Sequence, residues 1–276
     1  MSLTVGVGTA KEHDAHQAGF AAAQNALEHA GVERPGQLFV FASALYDQEA
    51  LIRGVRDASG NTPLVGCSVS GILTREGPLD QSVAVVALQG DSITFASGMA
   101  LMKNGARAAG ALVGQEIREL ATAELRGLFV FSNMLQSGAA DALAGIQDVL
   151  GDKVPTAGAV AGDELAFERT FQYRDALVGD DALVGLALAG ACSVSIGVRS
   201  GWIPVGIPEK VTRAKDAQVF EIEGKRAVSI YEDYFGENLS ELRAEPLARS
   251  ALGYPLGVRT SDGDEYLIRN PLVAGE

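Results

Sequence analysis

Cys67 is the residue best placed to do chemistry. It ends a short apolar run, Pro63-Leu64-Val65-Gly66-Cys67, that empties into Ser68-Val69-Ser70-Gly71-Ile72. A strand that opens into a Gly/Ser turn brings backbone N–H groups close to whatever lies there, and open α/β sheets hold ligands at such strand ends. A thiolate at Cys67 would be a nucleophile, and such a nucleophile needs a base. The histidines, His13, His16 and His29, all fall on or beside the first helical stretch. Ser68 and Ser70 do not sit in G-x-S-x-G, no P-loop or G-x-G-x-x-G follows a strand, and neither cysteine has a C-x-x-C partner. His13 and His16 are too few ligands for a metal site. A two-cysteine racemase would need a second thiol equivalent to Cys67, and Ala159 occupies that place.

The equivalence rests on an internal echo. Pro155-Thr156-Ala157-Gly158-Ala159-Val160-Ala161-Gly162-Asp163-Glu164 repeats the organising stretch 92 residues later. Leu38-Phe39-Val40-Phe41-Ala42-Ser43 recurs 90 residues on as Leu128-Phe129-Val130-Phe131-Ser132-Asn133. Ala18-Gly19 matches Ala109-Gly110, and Ser82 to Leu88 matches Ala182 to Leu188 at an offset of 100. Four matches in one order indicate a duplicated supersecondary unit with pseudo-two-fold symmetry, not a short-period solenoid. The working surface is then the two echoing loops. Candidate ligand-binding residues are Gly66, Cys67, Ser68, Ser70 and Gly71 in the first, and Gly158, Asp163 and Glu164 in the second. Tyr46 and Asp47 stand at a strand-to-helix junction beside them. Asp47, Asp163 or Glu164 would take a ligand ammonium; backbone N–H groups of the Gly-rich turn would take a carboxylate. This pattern fits ligand binding better than catalysis.

The elements that must position these loops follow from periodicity. Leu3 to Gly8 reads as a short strand. Asp14 with Gln17 forms a capping box for a helix running to Ala30, with Ala15, Ala18, Ala22, Ala26 and Ala30 on one face and Gly31 as its stop. Strand 37–43, a helix near Asp47 to Asp57 and strand 64–67 come next, then strands 82–88 and 92–99 paired across Gly90-Asp91. The second copy reads as helix 104–125, strand 127–132, a helix over 138–149 capped by Ser137, strand 155–160, an extra strand at Thr170 to Tyr173, and strands 183–188 and 193–198. The expected fold class is α/β with mixed sheets: a duplicated α-β-α-β-β-β unit over residues 1–202, with copies of about 1–100 and 101–202. A smaller α+β piece follows over 203–276, with strands in 210–222, a helix over 227–235, a further cap at Asn238 or Ser240, and strands at 255–259 and 265–268.

Of the 276 residues, 47% are hydrophobic and the net charge is −13. That supports a sizeable core and argues against nucleic acid and anionic membrane surfaces as partners. No basic leader and no apolar run of membrane-spanning length is apparent, so the expected location is cytoplasmic.

Val5-Gly6-Val7-Gly8-Thr9, Phe39 to Ser43, Tyr46-Asp47 and above all Pro63 to Ile72 resemble the N-terminal FIST domain. Lys210-Val211-Thr212-Arg213-Ala214, Phe220 to Lys225, Ile230-Tyr231 to Gly236 and Tyr266 to Pro271 resemble a shortened C-terminal FIST domain. The resemblance implies an intracellular sensory module that binds a small ligand, amino acids among them. Its partner would be a signalling protein such as a histidine kinase or a cyclic-di-nucleotide enzyme. It also implies haem-based nitric-oxide sensing as an alternative, although no histidine follows His29; His13, His16, Cys67 or a methionine would then hold the iron. No cofactor is assigned. A thiol enzyme using Cys67 and a protein-binding adaptor complete the alternatives.

Overall fold

The computed structural model describes residues 3–133, 138–215, 218–235, 253–259 and 266–271. It divides into two compact units, Met1–Ile196 and Gly197–Glu276. The class is mixed α/β with an internal duplication, as the sequence predicts.

The first half of unit one runs β1 (Leu3–Ala10), α1 (Ala15–Ala30), β2 (Gln37–Ser43), α2 (Gln48–Ser59), β3 (Leu64–Val69), the small hairpin β4 (Ile72–Thr74) and β5 (Gly77–Leu79), then β6 (Val83–Gly90). The second half repeats this order: β7 (Ile93–Leu101), α3 (Ala106–Leu120), β8 (Leu125–Ser132), α4 (Ala139–Leu150), β9 (Thr156–Val160), the hairpin β10 (Gln172–Arg174) and β11 (Leu177–Gly179), and β12 (Ala182–Gly190). The two sheets have the same core order, β1-β6-β2-β3 and β7-β12-β8-β9. Each pairs its last two core strands in parallel, β2 with β3 and β8 with β9.

Each half therefore opens with a strand that the α-β-α-β-β-β reading left outside the unit. Ile93–Leu101 is the first strand of the second half and pairs with β12, not with β6 across Gly90-Asp91. The turn signal is real, but the chain uses it to pass from one sheet to the other. Residues 191–210 form no strand, in contrast to the expected strand at 193–198. The apolar alternation there serves packing instead: Val194 lies against Gly127, where an added Cβ would come within 2.7 Å of its methyl group. The expected caps at Ser137, Asn238 and Ser240 lie outside the described residues.

Helix α1 begins at Asp14, whose carboxylate accepts from Gln17 N at 2.9 Å, and ends at Gly31 in the left-handed region, φ 66°. Its alanine face lies directly on β1. A Cβ on Gly6 or Gly8 would fall 2.1 or 2.2 Å from the carbonyls of Ala26 and Ala22. Helices α1 and α2 bury Ala18, Ala22, Leu51, Ile52 and Val55 against the outer face of the first sheet. Helices α3 and α4 do the same for the second, with Val113, Ile117 and Ile146. A third core joins the two inner sheet faces through Phe39, Val65, Cys67, Val184 and Leu186. At its centre Phe39 and Phe41 meet Phe129 and Phe131, their equivalents, edge to face at 5.2 Å and 5.6 Å. The result is a helix–sheet–sheet–helix stack around a pseudo-two-fold axis.

Unit two carries β13 (Val211–Lys215), β14 (Gln218–Ile222) and β15 (Lys225–Arg226) as an antiparallel sheet, α5 (Ser229–Phe235), and the hairpin β16 (Leu256–Arg259) with β17 (Tyr266–Arg269). Its apolar cluster centres on Tyr231 with Val228, Ile230 and Leu256. Among the described residues of both units, no helix is long and apolar enough to cross a membrane.

Candidate functional site

The two echoing loops meet. Gly162 N donates to Ser68 O at 2.9 Å, and a Cβ on Gly162 would lie 2.8 Å from Ser70 N. Ser70 and Gly162 are equivalent positions, so the pseudo-two-fold axis passes between them. Here the halves differ. After β9 the chain makes an excursion, 163–170, that the first half lacks, then returns so that Ser68 N donates to Phe171 O at 2.8 Å. Asp163 builds that excursion. Its buried carboxylate accepts from the backbone N–H groups of Phe167, Glu168 and Arg169 at 3.1, 2.7 and 3.0 Å. Three non-glycine residues in it, Glu164, Leu165 and Phe167, adopt left-handed φ of 52°, 65° and 57°. Conformations of that kind persist only where surrounding structure enforces them, and they cluster at functional sites.

Glu164 carries the chemistry of the loop. Both its carboxylate oxygens are buried, and neither makes a hydrogen bond. Burial pushes its pKa up and Asp163 adds to that. Ser43 and Ala44, at the end of β2, lie near enough to favour the carboxylate and offset part of the rise, without meeting it in hydrogen-bond geometry. The neighbouring Tyr173 is fully buried and its hydroxyl bonds Gln48 Oε1. Burial, Cys67 and Glu164 together raise the Tyr173 pKa well above its usual value. Gln48 in turn donates to the carbonyls of Ser43 and Tyr46. The outcome is a buried polar cluster at the carboxyl ends of β2 and β3, where a parallel strand pair opens toward the start of α2.

The other predicted residues are placed as follows. Asp47 is exposed and caps α2 by accepting from Ala50 N at 2.9 Å. The Tyr46 hydroxyl lies 2.9 Å from Glu12 O and 2.8 Å from Gln81 O, tying two loops together; burial, then Glu12, raises its pKa. Gly66 and Gly158 let neighbouring strands approach, since a Cβ would fall 1.8 and 2.2 Å from the carbonyls of Val40 and Val130. Ser68 Oγ accepts from Phe171 N at 2.9 Å. Ser70 and Gly71 are exposed at the loop crossing. Cys67 lies between the two sheets, 2% exposed, and burial raises its thiol to about 12. A thiol so placed is an apolar packing group at neutral pH, not a nucleophile.

The sequence offers Glu164 as a candidate but not Ser43, Gln48 and Tyr173 around it. Ser43 and Gln48 bracket Tyr46-Asp47 within a few residues. Tyr173 comes from a remote strand, and nothing local marks it.

The histidines and Cys67, named as haem ligands in the alternative reading, occupy separate surroundings among the described residues. His13 is exposed, His16 pairs with Asp57 at 2.8 Å on the outside of the helices, and His29 Nδ1 lies 2.6 Å from Val7 O. Cys67 is sealed between the sheets, far in topology from that helix face. Among the described residues no three His, Cys, Asp or Glu side chains converge on a metal position.

The family model for the FIST N domain matches residues 37–225. An uncharacterized protein of Methanocaldococcus jannaschii is 24% identical over 220 residues, covering 76% of this chain and 42% of that protein. The chain thus spans under half the length of this relative. Among solved structures, a cyanuric acid hydrolase from A. caulinodans aligns at a TM-score of 0.38 with 12% identity, covering 68% of this chain and 71% of that one. A second cyanuric acid hydrolase structure aligns at 0.36 with 14% identity, covering 68% and 69%.

Proposed function

This chain belongs to the FIST N domain family, and from that premise we propose that it is a non-enzymatic sensory module whose small-molecule ligand binds at Glu164. The ligand carries a hydrogen-bond donor, an ammonium in the simplest case, that meets the Glu164 carboxylate beside Ser43 and Tyr173. One observation carries this reading: a buried carboxylate with neither oxygen hydrogen-bonded, held by a loop rich in left-handed residues. A buried acceptor left unmade costs about 1–3 kcal/mol, and a ligand that satisfies it recovers that amount on binding. Asp163 and Asp47 do not compete, because their carboxylates already accept backbone N–H groups. Ligand contact at the loop crossing bears on both halves at once. A change in their relative packing is then the signal passed to a partner signalling protein.

The test is a thermal-shift screen of the twenty amino acids and simple alkylamines, run in parallel on wild type and Glu164→Gln. Ligand at 100 times its Kd stabilises by about 2.7 kcal/mol. For a protein of this size that raises Tm by roughly 5–10 °C. The shift should vanish in Glu164→Gln. A shift that survives the substitution removes the site assignment. If no amine-bearing compound shifts the wild type, the ammonium reading is lost.

A further inference from the structure

The duplication is broken at one other place. Hairpins β4–β5 and β10–β11 are equivalent strand for strand, 100 residues apart, with matching registers: Ile72 opposite Leu79 and Gln172 opposite Gly179. The second of them crosses to the first half's sheet and adds to the edge of β3, with Gln172 opposite Cys67 and Tyr173 opposite Gly66. That crossing buries Tyr173 completely and seals Cys67 and Ser68. The first hairpin does nothing of the kind. It forms a separate two-stranded sheet, and Leu73, the equivalent of Tyr173, is 86% exposed.

The place it would take by symmetry is open. Among the described residues β9 has no neighbour on its outer side, and Gly158, Ala159 and Val160 are exposed where Gly66, Cys67 and Ser68 are buried. Since β10 lies against β7, the same symmetry would set a hairpin on β9 over the inner face of β1, which exposes Leu3, Val5 and Val7. Their equivalents on β7, Ile93, Phe95 and Ser97, are all partly covered. An unpaired strand edge next to apolar side chains is a template for another strand.

We propose that the outer edge of β9 and the inner face of β1 receive the β4–β5 hairpin of a second molecule of this chain, in a reciprocal two-fold exchange. The template fixes the register: Ile72 opposite Ala159, Leu73 opposite Gly158 and Thr74 opposite Ala157, antiparallel. The hinge argues for exchange between molecules. Only Ser70 and Gly71 separate β3 from β4, whereas residues 161–171 separate β9 from β10. Ser70 is further pinned by the close approach of Gly162 to its backbone N. Short, restrained hinges favour docking on a neighbouring molecule, and an isologous pair closes both open edges at once. This inference does not depend on the ligand reading.

Two measurements on the full chain test it. Light scattering after size exclusion should give twice the 28.7 kDa chain mass, and Leu73→Asp should weaken dimerisation at least tenfold while keeping a cooperative melt. In a Cys192→Ser background, Ile72→Cys with Ala159→Cys should oxidise to a disulfide-linked dimer on a non-reducing gel, because directly opposed antiparallel residues sit about 4.5–5.5 Å apart, within disulfide range. A wild type that stays monomeric, a Leu73→Asp variant that dimerises as well as wild type, or a bridge that forms only within single chains overturns the proposal.

Discussion

Two buried titratable groups, Cys67 and Glu164, define what single residues contribute. The Cys67 thiol is raised from 9.0 to about 12 by burial. Its folded pKa lies above its unfolded one, so its contribution is fully present below pH 9.0 and is lost as pH rises toward about 12. Over that window it steepens the fall in stability by about 1.4 kcal/mol per pH unit. Urea unfolding of wild type and Cys67→Ala from pH 8 to 10.5 should show the steeper fall in wild type; parallel curves would mean the thiol is solvated. Alkylation of Cys67 by iodoacetamide at pH 8 should likewise require unfolding. Glu164 has the same sign in a different window. Its pKa is raised above 4.5, so its protonated form stabilises at low pH and the advantage disappears as pH climbs. Glu164→Gln is therefore expected to raise Tm at pH 7 by about 2–4 °C, the equivalent of about 1 kcal/mol, and to do little at pH 4. A lower Tm at pH 7 would show that the carboxylate is satisfied and the site misread.

At the scale of elements, glycine sets how closely the paired helices lie. A Cβ on Gly19 would fall 2.2 Å from Leu51 O, and on Gly110 2.0 Å from Ala142 O. Gly54 and Gly145 face His16 O and Arg107 O in the same way, at 2.0 Å each. Alanine is the better helix former by about 1 kcal/mol, yet Gly19→Ala and Gly110→Ala should each destabilise by about 1–3 kcal/mol, because backbone and not a flexible side chain must move. Denaturant midpoints decide the sign. The same helix pairs carry a duplicated ion pair, His16–Asp57 and Arg107–Asp148, each at 2.8 Å. Both are exposed, so Asp148→Asn should change stability by less than about 1 kcal/mol. The pairs fall at equivalent positions, 91 residues apart, which the sequence echo at Ala18-Gly19 and Ala109-Gly110 already indicates. Strand register agrees: Leu38 faces Ala87 and Leu128 faces Ala187, preserving the offsets of 90 and 100 read from the sequence.

For the whole molecule, the two units join through residues 191–210, which form neither helix nor strand. Limited proteolysis should cut there first and release a fragment ending near Ile196 that keeps a cooperative melt. Early cuts within β2 or β8 would contradict the division. The halves of unit one share a sheet order and a central phenylalanine cluster, yet differ in the 163–170 excursion and in the fate of one hairpin. Both differences fall where a ligand or a second molecule is proposed to bind.

Sequence alone determined the mixed α/β class, the duplication and its offsets, the caps at Asp14 and Asp47, and the two loops that meet on the axis. These are local or periodic signals: apolar spacing, cap chemistry and repeated strings record the short-range physics of each element. Tertiary structure alone decided which strands share a sheet. Ser92 to Met99 reads as a hairpin partner of the preceding strand, but its pairing with β12 depends on chain contacts some ninety residues away. The site divides the same way. Glu164 is an acidic loop residue in the sequence, but its neighbours Ser43, Ala44 and Tyr173 come from the end of β2 and from β10 and reach it only through tertiary packing. Gly66 and Gly158 looked like ligand cradles because a sequence cannot tell a glycine that admits a ligand from one that admits a neighbouring strand.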